Sequence, residues 1–501
     1  MGRCMELLLS LDVGTTSVKG VLFDRRGRPV AAAIEEYALD KPARDIVELD
    51  CRQYWDGACK VIRHLLDDSA WRCSDIVAVG VTSQGETLIA LDASGRPLRP
   101  AIVWLDNRSQ AQADRIAAEF DIQEVYRTTG QQEIAPTWTA TRILWLRENQ
   151  PEIFREAHKF LLVADYLLYR LTGTFCTDGG LNPSTLYFDI TAYRWWARML
   201  QFLGIEAAQL PEVRSSGEIA GKVTPEAASQ TGLAAGTPVV TAPMDQICAA
   251  VGAGNIAPGM ITENTGAALA ICATVEGPTY DPQRRVGCFN HAAKGRYVLL
   301  PWVQTAGMAL RWFRDELGGG LDYDALCREA ATVPPGAEGL VFLPYLSGAG
   351  CPDMDSRARG TFWRIDLAHR RAHFTRAVLE SVAFVLRQNL EFLGALGFTC
   401  DEVRCLGGGS RSELWVQIKA DMLNLPCVVM DTEESTALGV AILAAVGAGL
   451  YPDLPEAIDK MVRVRRRIEP DPDRAEAYEH VYQRYARLHG QLVGLFAPDS
   501  P

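Results

Sequence analysis

The chain has 501 residues, too many for one compact core, so two or three domains are expected. Its 62 acidic residues outnumber 50 basic ones for a net charge of -12, which argues against a nucleic-acid-binding surface, and its 48% apolar and 22% charged residues are the proportions of an ordinary soluble globular protein. Thirteen scattered cysteines without a Cys-x-x-Cys pair read as free thiols of a reducing cytoplasm, and the apolar run before Asp12 is too short for a signal peptide.

The first element is LLLSLDVGTTSVKGVLFDRRGRPV, residues 7–30. Its nearly continuous apolar run predicts a strand covered on both faces. Asp12 then falls where the strand meets a tight turn at Gly14, and VKGVLFD predicts a returning strand closed by RRGRP. The tip of this hairpin carries Thr15, Thr16 and Ser17, hydroxyls that suit an anion-binding nest. An acid beside a phosphate nest is chemically sensible with a divalent cation between them, whereas an ordinary hairpin would use the same residues for turn hydrogen bonds.

Further along, TRILWLRENQ (141–150) and PEIFREAHKFLLVADYLLYRLTG (151–173) have helical spacing of apolar positions. PVVTAPMDQICAAVGAG (238–254) predicts a strand, a small turn bearing Asp245, and a helix of small residues. AGNIAPG (253–259) carries Gly and Pro and predicts the boundary between two halves, a hinge for closure. GMITENTGAALAICA (259–273) repeats the opening design as strand, Asn-Thr-Gly turn, strand, and EVRCLGGGSRSELWVQIKADML (402–423) adds strand, glycine turn, amphipathic helix. HRRAH (369–373) has metal-ligand spacing but lacks the glutamate of a zincin, and reads as the solvated start of a helix. STALGVAILAAVGAGLYP (435–452) is a buried helix, short of the roughly 20 apolar residues of a membrane span. The charged tail beyond residue 455 predicts a strand, a proline-marked loop and a surface helix.

No Walker-type loop, protein-kinase loop or Gly-x-Ser-x-Gly elbow occurs. What remains is separated Gly/Thr turns and acids at strand ends, the parts that phosphoryl transfer needs. With these residues in place the chain resembles the FGGY carbohydrate kinases of the actin-like ATPase superfamily. The resemblance rests on DVGTTSVKG, VTSQGETLIALDASGRPLRPAIVWLDNRS, MDQICAAVGAGNIAPG, TENTGAAL, LPYLSGAGCPDMDSRARG, RAHFTRAVLESVAF and LGGGSRSELWVQIKADML, in that order over nearly the whole chain.

The resemblance implies an α/β fold of two ribonuclease-H-like domains around a central cleft, residues 1–252 on the sugar side and residues 253–501 on the adenosine side, the latter ending in a helix. It implies ATP and Mg²⁺ as cofactors and a small sugar or polyol as substrate, in the cytoplasm, with no nucleic-acid or membrane partner; a homodimer is left open. Asp245 matches the catalytic base, and Asp12 the metal-associated acid. Gly14, Thr15, Thr16, Thr265 and Gly266 match phosphate turns, and Gly307, Gly408, Gly409 and Ser412 match nucleotide contacts. Gly85, Glu86, Asp245 and Gln246 match the substrate side. The chain looks most like the xylulokinase branch, yet Gly85-Glu86 replaces that branch's Met-His, while Glu86 and Asp245-Gln246 resemble glycerol kinases. Thr137 stands where glycerol kinases place a substrate tyrosine, and Trp104, Asp106 and Arg108 read equally as ligand contacts or as packing. The implied activity is transfer of the γ-phosphoryl group of ATP to a terminal hydroxyl of a small linear sugar, a pentulose such as D-xylulose. Glycerol or another polyol is the alternative substrate, and a non-catalytic actin-like nucleotide-binding regulator the rival from another class.

Overall fold

The computed structural model describes residues 6–67 and 71–496; residues 1–5 and 497–501, the outer ends of the two expected domains, lie outside the described residues. The elements that position the site begin with β1 (Leu7–Val13), β2 (Ser17–Asp24) and β3 (Pro29–Glu36). They continue with α1 (Cys51–Leu66), β4 (Ile76–Ser83), α2 (Thr139–Asn149), α3 (Val163–Thr172), β5 (Ile219–Lys222), β6 (Pro238–Thr241) and α4 (Asp245–Gly252). In the second half come β7 (Ile261–Thr265), β8 (Leu269–Val275), β9 (Gly287–Asn290), β10 (Tyr297–Leu300), α5 (Gly307–Leu317) and α6 (Arg371–Ala395). The chain closes with β11 (Val403–Leu406), α7 (Glu413–Leu423), β12 (Cys427–Met430), α8 (Ser435–Gly447), β13 (Val464–Ile468) and α9 (Pro472–Leu492).

Two sheets organise these elements. The first has the order β5-β6-β4-β1-β2-β3, antiparallel from β3 to β1 and parallel from β1 through β4 to β6. The second has the order β9-β10-β8-β7-β11-β12-β13, antiparallel from β10 to β7 and parallel from β7 through β11 to β12. Each half therefore lays down a run of antiparallel strands, three in the first and four in the second, and extends the first strand of the run with two parallel ones. This repeated plan is the two-domain actin-like fold.

Strand β1 is buried at all but one position, as its unbroken apolar run predicts. One face is covered by α8, whose Ala437 carbonyl accepts a hydrogen bond from the buried Ser10 hydroxyl at 2.6 Å. A methyl group on Gly80 of β4 would lie 2.5 Å from Val440 of α8, so the helix sits tightly on the strand. Residues from Ala437 to Met461 thus join the core of the first sheet although in sequence they lie between β12 and β13 of the second. A second large core fills the other half, and a third cluster, holding Ala140, Ile143, Leu144 and Leu146 of α2, lies between residues 88 and 210.

Helices α4 and α8 cross with their backbones almost touching. A Cβ on Gly252 would lie 1.9 Å from the Ser435 carbonyl oxygen, and one on Gly439 would lie 1.9 Å from that of Cys248. Only glycine fits at both points. This contact joins the end of the first half to a helix of the second, beside the Gly/Pro segment at 253–259.

Two local expectations change. The stretch 151–173 is not uniformly helical: a helix at Pro151–Glu156 gives way to a strand at Lys159–Leu161 before α3. A short apolar run fits a buried strand as well as a helix, and here Ile89–Leu91 offers an antiparallel partner. At 369–373, His369 is buried rather than solvated, its Nδ1 accepting the Asp366 N–H, while α6 begins at Arg371. Among the described residues no helix is long and apolar enough to cross a membrane, and every cysteine is a free thiol.

Gly439→Ala should force α4 and α8 apart and destabilise the protein by about 1–3 kcal/mol, although alanine is the better helix former. Gly394→Ala, on α6 with no atom within 4 Å of the added methyl, should be neutral or stabilising by up to about 1 kcal/mol. Chemical denaturation of the two variants checks this; equal stabilities would remove the crossing as a tight contact.

Candidate active site

Parallel strands β1, β4 and β6 end side by side, and each delivers one carboxylate to the same edge. Asp12 is the second-last residue of β1, in register with Thr82 of β4. The chain leaving β4 bonds back to β1, Gln84 N–H donating to Val13 O at 3.0 Å, and then presents Gly85 and Glu86. After β6, Ala242-Pro243-Met244 leads into Asp245, the first residue of α4. In open α/β sheets the space beyond the strands' carboxyl ends is where ligands bind.

Two of these acids feel the third, Asp245. Burial pushes the Asp12 carboxyl up to about 7; Asp245 and Glu434 push the same way, and Lys19 opposes them. Burial likewise pushes Glu86 to about 7, against the Ser184 hydroxyl and Arg142, with Asp245 adding to the rise. Asp245 is pushed to about 6 by burial, while the Gln246 N–H, donating to Oδ1 at 2.6 Å, holds it down. All three residues remain half-buried, open on one side to the cleft. A cluster of acids displaced toward neutral pH at a cleft is the arrangement expected of proton-transfer groups.

The hairpin tip is fastened from two sides. Tyr37 donates its hydroxyl to Gly14 O, and its N–H to Thr16 O at 2.9 Å. Thr15 Oγ1 donates to Gln84 Oε1 at 3.0 Å and accepts from Trp104 Nε1 at 2.9 Å, so this hydroxyl ties the tip to the next strand. Thr16 is exposed. Lys19 pairs with Glu434 at 2.5 Å, linking β2 to the approach to α8.

Beyond the end of β4, Glu86 has φ of 61°, the left-handed region that strains a non-glycine residue. Its carbonyl is held by Thr139 Oγ1 at 3.1 Å and Arg142 Nη1 at 2.7 Å. A Cβ on Gly85 would stand 3.1 Å from Ser184 Oγ, so the small residue lets that wall close up. Trp104 faces the hairpin tip, but Asp106 and Arg108 pair with each other at 2.7 Å, and Arg108 also meets Glu48 at 2.7 Å. Thr137 donates to Trp104 O at 3.0 Å. These last residues brace the wall rather than face the cleft.

In the second half, β7 ends at Thr265, beside Gly407 to Gly409 at the end of β11. The Thr265 hydroxyl turns inward: it donates to Glu263 Oε2 at 2.5 Å and accepts from Lys419 Nζ at 2.7 Å. Lys419 and Glu263 are both fully buried and meet at 2.7 Å. Burial alone would push Lys419 down; Glu263, with the nearby Cys405 and Cys427, outweighs it and leaves the ammonium's pKa raised. Thr265 therefore anchors its turn from beneath, and Gly266 is what the turn presents outward.

The glycines divide in the same way. Gly307 and Gly409 are required by the protein, since a Cβ on them would lie 2.3 Å from Gly266 O and 2.7 Å from Thr265 Cβ. Gly408 has nothing within 4 Å, so protein packing does not account for it and its face is open to a ligand. Ser412 caps α7, accepting the Trp415 N–H at 3.3 Å. Gln246, beside Asp245, is half-buried and its carbonyl accepts from Cys272 Sγ at 3.5 Å.

Among the described residues no group of three or more His, Cys, Asp or Glu side chains is arranged to hold a metal ion by itself. Asp12 offers one carboxylate in a pocket of excess negative charge. A cation that takes one or two protein carboxylates and fills its shell with water and phosphate oxygens fits such a donor set.

Comparison with known proteins places this geometry. The N-terminal domain of the FGGY family of carbohydrate kinases matches residues 7–252, and the C-terminal domain of that family matches residues 270–448. The xylulose kinase of Escherichia coli (strain K12) is 32% identical over 492 residues, covering 98% of this chain and all of that one. The gluconokinase of Bacillus subtilis (strain 168) is 30% identical over 492 residues, 96% of this chain and 95% of that one. Among solved structures, ligand-bound xylulose kinase from Lactobacillus acidophilus superposes with a TM-score of 0.89 at 27% identity, covering 98% of this chain and 100% of that one.

Lys419→Met should leave Glu263 buried without its partner and cost about 3–5 kcal/mol, while adding Glu263→Leu should recover most of the loss. Urea denaturation of the single and double variants checks this. A single variant as stable as the parent would show that the pair does not anchor the turn.

Proposed function

Because this chain belongs to the FGGY family of carbohydrate kinases, we propose that it transfers the γ-phosphoryl group of ATP to a terminal hydroxyl of a neutral linear sugar, with a pentulose such as D-xylulose as the preferred acceptor. Membership makes it a phosphotransferase with an alcohol acceptor that uses ATP; the acceptor and the residue roles are our reading. The observation that carries this reading is the convergence of Asp12, Glu86 and Asp245 on one edge of the first sheet.

In this reading Asp245 takes the proton of the attacking hydroxyl. Its place at the start of α4 favours the carboxylate and burial disfavours it, leaving a base poised near the operating pH. Glu86, with Gly85 and Gln246 beside it, accepts hydrogen bonds from the substrate's other hydroxyls and orients the chain of carbons. Gly14, Thr15 and Thr16 on one side and Thr265 with Gly266 on the other frame the phosphates. Gly307, Gly408, Gly409 and Ser412 frame the nucleoside. Asp12 would hold Mg²⁺, which when bound neutralises charge on the phosphates. Closure of the two halves about 253–259 excludes water from the transferred group.

The charge of the acceptor side supports a neutral substrate. An aldonate would bring a carboxylate toward Glu86 and Asp245, and the guanidinium nearest to them, Arg142, is fully buried against backbone carbonyls. Full-length relatives that are xylulose kinases favour a ketose. Glu86 and the Asp245-Gln246 pair keep a polyol such as glycerol as a second reading.

A coupled ADP-release assay over pentuloses, glycerol, tetritols and gluconate should give the highest kcat/KM with a pentulose and negligible turnover of gluconate; gluconate turning over best would overturn the acceptor assignment. Asp245→Asn should lower kcat by about 10²–10⁴ while nucleotide binding persists. Because the base must be deprotonated and sits at about 6, kcat/KM should fall as pH drops through that value. An acid limb unchanged in the Asp245→Asn variant would place the base elsewhere.

A further inference from the structure

Arg142 is the largest fully buried side chain among the described residues, and its charge has no carboxylate in hydrogen-bond contact. The guanidinium is instead distributed over three backbone carbonyls: Nη1 to Glu86 O at 2.7 Å, and Nη2 to Trp104 O at 2.8 Å and Asp106 O at 3.3 Å. Nε has no partner at all. Burying a cation in this way is expensive, and carbonyls that need only a donor would be served by a hydroxyl or an amide. A hydroxyl is in fact present, since Thr139 donates to the same Glu86 carbonyl.

What distinguishes these carbonyls is where they lie. Glu86 follows β4 in a left-handed conformation, with its side chain among the clustered acids. Trp104 donates to Thr15 at the hairpin tip. Both segments are irregular backbone, and α2, packed in its own apolar cluster, is the rigid body to which they are tied. A left-handed glutamate relaxes unless its peptide is fixed from outside.

We infer that Arg142 is the positioning residue of the acceptor side: from α2 it pins the Glu86 and Trp104 carbonyls, holds Glu86 in its strained conformation and offsets the negative charge of Glu86 without touching the substrate. The inference rests on the proposed function, and it adds that recognition of the acceptor depends on a residue outside the cleft. Arginine is required because one planar fork serves two loops at once, whereas a lysine would serve one.

The test uses the full-length protein and the acceptor that the parent turns over fastest, so a parent without kinase activity sinks the proposed function, not this inference. In Arg142→Met, kcat/KM for the acceptor should fall roughly 10- to 100-fold, the loss expected of charged hydrogen bonds, while KM for ATP stays within about twofold. Arg142→Lys should recover part of that loss. Thr139→Val, which removes the second donor to Glu86 O and leaves Arg142 in place, should weaken acceptor kinetics in the same selective way by a smaller factor. It keeps the test open if Arg142→Met does not fold. A packing role would lower both substrates' kinetics together. Equal losses toward acceptor and ATP, or acceptor kinetics unchanged in the variants that fold, overturn the inference.

Discussion

The Asp245 charge bears on both Asp12 and Glu86, and much of the surrounding structure is arranged so that the three acids stay together regardless. Their strands are parallel neighbours, so the sheet's hydrogen bonds fix the spacing of all three at once. Burial displaces each carboxyl upward, and the Asp245 charge adds to the rise at Asp12 and, less, at Glu86. The counter-charges stand back from the cleft floor: Lys19 is bound to Glu434, and Arg142 to carbonyls. Among the described residues, none of the three carboxyls has a hydrogen-bonded cation of its own. A divalent cation bound with phosphates and an acceptor presenting hydroxyl protons are the two kinds of visitor that suit them.

The same constraint explains the contact at the base of the cleft. Helix α4 begins with Asp245 and within its eight residues reaches Gly252, where it meets α8 backbone to backbone. A displacement at the crossing reaches the candidate base within two turns of helix. Helix α8 also covers β1 and β4, the strands that carry Asp12 and lead to Glu86. One small-residue helix from the second half thus sets the positions of three acids from the first. The second half shows a matching economy: Lys419 and Glu263 fix the Thr265 turn from below, leaving Gly266 and Gly408 open above.

What the sequence made legible was local. The run LLLSLD announced a doubly covered strand, Gly14 its turn, and the spacing from Pro238 to Gly254 a strand leading an acid into a helix; each depends on neighbours a few residues away. The sequence was mute where a residue's role is set by distant chain. Arg142 in TRILWLRENQ has the look of a solvated position on an amphipathic helix, and Lys419 in WVQIKADML of the polar face of another, yet both are wholly buried. Their partners lie 56 and 156 residues away. The Thr265 hydroxyl, in the turn matched to a phosphate contact, is bonded inward to that same lysine. The return of α8 to the first sheet is equally invisible in its composition, which specifies burial but not against what.

The account stands or falls on the convergence of the three acids upon one reacting hydroxyl. A crystal structure with a non-hydrolysable ATP analogue, Mg²⁺ and the preferred sugar measures it directly. The account predicts a terminal hydroxyl within about 2.6–3.2 Å of the Asp245 carboxylate, the reach of a general base. Glu86 should then hold the sugar's other hydroxyls, and Asp12 should face the metal. A sugar whose terminal hydroxyl lies beyond Asp245's reach in the closed complex, or a metal bound away from Asp12, would contradict it.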